Sequence, residues 1–98
     1  MLILIMDFND IPLVVNESSA RFELAVDGRK AFVDFKRKED TVILVHTEVP
    51  AELEGRGVAA TLVLKTLEYL DAHHLKLVPA CTYIQYFLKR HPEWKKLI

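Results

Sequence analysis

The chain has 98 residues, of which 51% are hydrophobic and 28% charged, and its formal net charge is −1. That length fits a single domain over residues 1–98 with a modest core, and the near-balance of charge lacks the basic excess that phosphate contacts demand, so no nucleic-acid partner is expected. One cysteine, Cys81, excludes an internal disulfide framework and fits a reducing, cytoplasmic setting.

The chain opens on Met1 to Met6, an apolar run too short for a signal h-region and met at once by Asp7. It is expected to add or cover an edge strand. No stretch approaches the roughly 20 apolar residues of a membrane span, so no membrane partner is expected. Three strand-like segments then fill the first half. Ala20 to Val26 alternates Phe22, Leu24 and Val26 against Arg21, Glu23 and Ala25, the period of a half-buried strand. Asp27-Gly28 is a favoured hairpin turn because both positions accept positive φ, and the chain returns through Lys30 to Lys36. A charged turn, Arg37 to Asp40, follows. Its basic residues read as a solvated hairpin end. Thr41 to Val49 is apolar on both faces at its start, which predicts a strand covered on both sides.

At Pro50 the pattern changes. From Gly57 to about His73, Ala59, Leu62, Val63, Leu67 and Leu70 form one helical stripe, with Lys65, Glu68 and Asp71 opposite. Leu75 to Val78 predicts a short strand ending at Pro79, paired parallel to the Val42 strand across the helical connection. Thr82-Tyr83-Ile84-Gln85 matches a capping box and predicts a helix to about Arg90. Pro92 then opens a final turn carrying Trp94. The order predicts an α+β layer, helices on a mainly antiparallel sheet.

Chemistry concentrates at Glu54-Gly55-Arg56-Gly57-Val58-Ala59, between a strand and the long helix. Glycines allow close backbone approach, and the helix start offers free amides and a positive dipole end to a phosphate. The plain alternative is a Gly-rich helix start. This stretch resembles the acyl-CoA pyrophosphate loop of GCN5-related N-acetyltransferases, Q/R-x-x-G-x-G/A. Gly57 and Ala59 match its last fixed positions, while Glu54 replaces Gln or Arg. A carboxylate there would repel a pyrophosphate, so Glu54 is expected to turn outward or contribute only backbone. His46-Thr47-Glu48-Val49-Pro50, Pro79-Ala80-Cys81 and Arg90-His91-Pro92-Glu93-Trp94 stand in the same order as in the very small members of that family, which lack the N-terminal helices of larger ones. The resemblance covers residues 13 to 98 and leaves 1–12 as an extension.

The resemblance implies a minimal acyl-CoA N-acyltransferase fold with two principal helices. It also implies acetyl-CoA as donor, with the pantetheine arm near Thr47 to Val49 and the pyrophosphate over Gly55 to Ala59. Tyr83, Phe87 and Arg90 would flank it. Cys81 would lie in the active site as acetyl-accepting nucleophile or as a group beside the thioester. Read without the family, it is a small buried hydrophobe. His46 and Glu48, two apart on one strand, share a face roughly 7 Å apart. His46 suits a base and Glu48 its partner, against the alternative of a core histidine. The acceptor stays open among a small amine, a peptide terminus and a lysine side chain. Two further readings stand beside the enzyme: a CoA-binding module without turnover, and a protein-interaction module with a degenerate loop. His73, His74, Cys81 and His91 form no recognised zinc spacing, so no metal is expected.

Overall fold

The computed structural model describes residues 8–98, so the role expected of Met1 to Met6 lies outside the described residues. Five strands lie in chain order as one mixed sheet, with three antiparallel pairings and one parallel. The first, β1 (Val14–Asn16), was not expected. It offers only two apolar residues, and Asn16 already begins the turn, its Oδ1 accepting from the Ser19 amide at 3.1 Å. β2 (Arg21–Val26) and β3 (Arg29–Lys38) join through Asp27 and Gly28, whose φ values of 52° and 76° are those of the expected hairpin turn. β3 runs further than its composition suggests, because Arg37 and Lys38 pair with Val42 and Thr41. The charged turn shrinks to Glu39 and Asp40.

β4 (Thr41–Glu48) buries Val42 and Leu44 on the face that packs against α1 (Val58–Ala72), but Ile43 and Val45 are only half-buried. The expectation of cover on both faces is therefore corrected: α1 lies across one face only. Its buried side is Val58, Leu62, Val63, Thr66, Leu67 and Leu70, so Val58 and Thr66 join the stripe while Ala59 sits at its margin. Thr66 tolerates burial because its hydroxyl donates to the Leu62 carbonyl at 2.8 Å. Opposite lie Phe22, Leu24, Val26, Ala31, Val33 and Phe35. Each large apolar side chain enclosed this way contributes about 1.5–3 kcal/mol relative to exposure.

β5 (Lys76–Pro79) pairs parallel to β4, as the helical connection requires. α2 (Thr82–Arg90) follows, and a 3₁₀ segment over Pro92–Leu97 closes the core with Leu97. The expected capping box does not form. Cys81, not Thr82, is the N-cap, so Thr82 lies one residue too late to cap, and Gln85 Nε2 instead donates to the Pro79 carbonyl at 2.9 Å. No helix among the described residues is long and apolar enough to cross a membrane.

Candidate functional site

Two interruptions of β4 shape the site. Leu44 pairs with Phe35 and His46 with Asp34, so Val45 is an unpaired bulge residue. The bulge inverts the alternation. Thr47 opposes the buried Val33 on the α1 side, whereas His46 and Glu48 oppose Asp34 and Phe32 on the other face. There His46 Nε2 and Glu48 Oε1 meet at 2.9 Å, both side chains exposed.

The second interruption is the end of β4–β5 pairing at Leu44 and Pro79. The Ala80 and Cys81 amides both donate to the Leu44 carbonyl, at 3.1 and 2.9 Å, and the chain then turns into α2. Residues 45–48 of β4 thus run on beside a wedge rather than beside a strand. Cys81 sits at its throat, buried, with Sγ 3.5 Å from Thr47 Oγ1. Burial pushes the Cys81 thiol up, but the Thr47 hydroxyl and the amides of Ile84 and Tyr83 outweigh it and bring the thiol below its ordinary range.

Beyond Val49 a 3₁₀ turn, Ala51–Leu53, drives Leu53 into the core and delivers the glycine loop. Gly55 and Gly57 take φ of 78° and 80°, and Gly57 is the N-cap of α1. Having no side chain, Gly57 cannot cap the helix, and Thr61 makes the bond back to its carbonyl, at 3.1 Å. The first-turn amides therefore lack an intrahelical partner. They border a cleft of about 370 Å³ lined by Val49, Leu53, Glu54, Gly55, Gly57, Val58, Ala59, Ala60 and Tyr83. A Cβ built on Gly55 or Gly57 would meet nothing within 4 Å, so the space over the loop is open. Burial, helped by neighbouring Tyr86, raises the Tyr83 hydroxyl above its usual range and keeps it a donor.

The sequence-derived residues thus divide. Val49, Glu54, Gly55, Gly57, Val58, Ala59 and Tyr83 come together at the cleft, with Glu54 exposed there. Thr47 and Cys81 meet at the wedge. Arg56 turns away from the cleft: its Nη1 donates to Asp27 Oδ2 at 2.9 Å. Phe87 lines a second cavity of about 280 Å³ with Ala60, Thr61, Leu64, His91, Glu93 and Trp94, and Ala60 lines both cavities. Arg90 lies over the Tyr86 ring, 5.6 Å from its centroid, and lines neither cavity. Ala60, Asp27 and the Val45 bulge were not foreseen. Only Ala60 had a signal, as the next residue of an uncapped helix. Among the described residues, no group of three or more His, Cys, Asp or Glu is placed to hold a metal ion.

A family model described as GCN5-related N-acetyl-transferase matches residues 21–97. Protein NATD1 of Xenopus tropicalis is 40% identical over 52 residues, which are 53% of this chain and 48% of that protein. Protein NATD1 of Homo sapiens is 41% identical over 51 residues, 52% of this chain and 45% of that one. The chain thus spans about half the length of these relatives. The NMR solution structure of a GCN5-like protein from Staphylococcus aureus superposes with a TM-score of 0.67 at 20% identity, over 91% of this chain and 88% of that one. That likeness establishes a shared fold.

Proposed function

The chain belongs to the GCN5-related N-acetyltransferase family, and from that premise we propose that it binds acetyl-CoA over the Gly55–Ala59 loop and transfers acetyl to an amine. One observation carries the reading: the uncapped start of α1 opens on a cleft that a Cβ would not fill. Amides without partners, at the positive end of a helix dipole, suit a diphosphate. The adjoining cavity at Trp94 offers an aromatic wall for the nucleotide end. The unpaired edge of residues 45–48 offers backbone groups to an extended pantetheine arm, as an added strand would use them. The residues present therefore fit the group.

When bound, acetyl-CoA supplies an activated acetyl thioester. The chain's own residues do the rest. With Nε2–H donated to Glu48, the His46 tautomer is fixed and Nδ1 carries the free lone pair. His46 Nδ1 takes the proton that an acceptor ammonium must lose before its nitrogen can attack, and the Glu48 carboxylate stabilises the imidazolium formed. The new C–N bond would form as the thioester C–S bond breaks, and the Cys81 Sγ–H, on the opposite side of β4 where Thr47 and the α2 amides ease its release, would give the departing CoA thiolate its proton. The acceptor is an amine: a small molecule, a peptide terminus or a lysine side chain.

The testing experiment is isothermal titration of acetyl-CoA into the wild type and a Gly57→Trp variant, with folding checked by circular dichroism. Trp94, the single tryptophan, gives a parallel fluorescence signal in the wild type. Saturable binding lost in the folded variant supports the reading; no binding by the wild type sinks it. A second reading, an interaction module with a degenerate loop, is favoured by the exposed Glu54 carboxylate on the cleft wall. It predicts that acetyl-CoA leaves thermal stability unchanged.

A further inference from the structure

We propose that the tip of the β2–β3 hairpin is a positioning clamp for the glycine loop, in which Asp27 holds Arg56 and Arg29 holds Glu52. The proposal rests on the reading of that loop as the acetyl-CoA site and adds residues whose side chains lie outside the lining of the cleft.

The two ion pairs have opposite polarity. Asp27 Oδ2 accepts from Arg56 Nη1 at 2.9 Å, and Arg29 Nε reaches Glu52 Oε1 at 3.3 Å. Hairpin residues two apart thus meet loop residues four apart, anion to cation and cation to anion. Displacing the loop along the hairpin would bring like charges together, so the crossed pairs specify one register. The Arg56 guanidinium also lies over the Phe8 ring, 5.8 Å from its centroid, which leaves it the least exposed of the four charged groups. The Glu52 carboxyl is held below its usual range by a backbone hydrogen bond at its own residue and by Arg29, so its charge persists at mildly acidic pH.

The loop needs such a hold. Gly55 and Gly57, both at positive φ, flank Arg56. Glycine is the most conformationally permissive residue, so the segment has little intrinsic preference for one path. Leu53, buried on the N-terminal side, and Val58, buried on the C-terminal side, fix its ends. Between them Arg56 is the anchor. Its side chain leaves the cleft for the hairpin and so sets the direction in which the first-turn amides of α1 point. An exposed pair is individually weak, but the clamp acts on a short segment whose ends are already fixed.

A double-mutant cycle on acetyl-CoA affinity tests the clamp, with wild type, Asp27→Asn, Arg56→Gln and the double variant titrated at one salt concentration. Each single variant should raise Kd by about three- to fivefold, and the double variant should bind no more weakly than either, because one interaction is removed once. Equal affinity in all four proteins overturns the clamp. So does a double variant whose loss is the product of the single losses, since Arg56 would then be acting on the ligand directly. A second readout needs no ligand. Amide hydrogen exchange at Leu53, Glu54 and Thr61, whose amides are bonded within the loop and the helix start, should quicken about threefold in either single variant. Unchanged exchange overturns the clamp even where the wild type binds acetyl-CoA. Quickened exchange with no binding by the wild type overturns the acetyl-CoA reading and leaves the mechanical clamp standing.

Discussion

Substitution of Gly57 separates what the loop costs in conformation from what it offers in space. Gly57 sits at φ 80° and ψ 12°, the left-handed region. There a Cβ crowds the following carbonyl oxygen and costs roughly 1–2 kcal/mol for an L-residue. The surroundings add nothing to that cost, because a Cβ at Gly57 meets no atom within 4 Å. Gly57→Ala should therefore destabilise the fold by the backbone term alone. In a domain of this size that corresponds to a fall of about 5–10 °C in thermal midpoint. Gly57→Asn should lose roughly half as much, since asparagine enters the left-handed region more readily. Affinity should rank the other way. The longer asparagine side chain projects beside the cleft that Gly57 lines, so it should weaken acetyl-CoA binding more than alanine does, although it is the more stable variant. Thermal unfolding followed at 222 nm and acetyl-CoA titration of the same preparations give both rankings. An alanine variant melting with the wild type, or an asparagine variant as unstable as alanine, would refute the backbone argument. Identical ranks in both assays would refute the spatial one.

Three other outcomes follow from the site. His46→Ala should lower the transfer rate by roughly 10²–10⁴ with acetyl-CoA affinity unchanged, measured by thiol release at saturating donor. An affinity loss would move His46 from proton transfer to donor binding. Glu54→Gln should tighten acetyl-CoA by about two- to fivefold at low salt, an advantage that fades at high salt; equal affinities across the salt series would show that the carboxylate does not face the diphosphate. The Cys81 thiol lies below its ordinary range, so its thiolate forms earlier as pH rises, and exchange with a small disulfide reagent, which forms a mixed disulfide and releases the reagent's thiolate, should plateau at lower pH than for a peptide cysteine. Thr47→Val should move that profile upward and Thr47→Ser should restore it, because the hydroxyl at 3.5 Å is one of the groups favouring the thiolate; a valine variant with the wild-type profile would refute that role.

The fold was legible wherever one residue's chemistry decides its neighbours. Asp27-Gly28 accepts the two positive φ angles of a tight hairpin, so the turn could be placed to the residue. The α1 stripe follows from helical period, and the parallel pairing of β5 from the helix that precedes it. Legibility failed where a long-range contact outvotes local pattern. β1 is too short to announce itself and exists because β2 offers an edge. Thr82 and Gln85 have capping-box spacing, yet the helix begins one residue early because the Ala80 and Cys81 amides are both held by Leu44. Arg56 sits inside a phosphate-loop pattern, but Asp27, 29 positions earlier in the chain, takes its side chain. No local signal could have shown that pairing.

The Val45 bulge decides how the candidate site is arranged, and its consequence runs further than one displaced residue. In an unbroken β4, Val42, Leu44, His46 and Glu48 would all point toward α1, since strand side chains alternate. His46 would then be the core histidine of the bland reading, and Thr47 would face away from Cys81. One unpaired residue reverses both assignments. Thr47 is brought to the wedge beside Cys81, and His46 with Glu48 passes to the exposed face. The two halves of the proposed chemistry thus stand on opposite sides of a single strand, separated by its backbone. A thioester carbonyl lying against the unpaired edge of residues 45–48 would be reached by the acceptor amine from the His46 side, with Cys81 on the other. On the proposed function, donor and acceptor would enter from different faces, and neither would have to leave before the other binds. Such an arrangement would favour direct transfer within a ternary complex over an acetyl-cysteine route, in which one sulfur would have to serve both faces in turn.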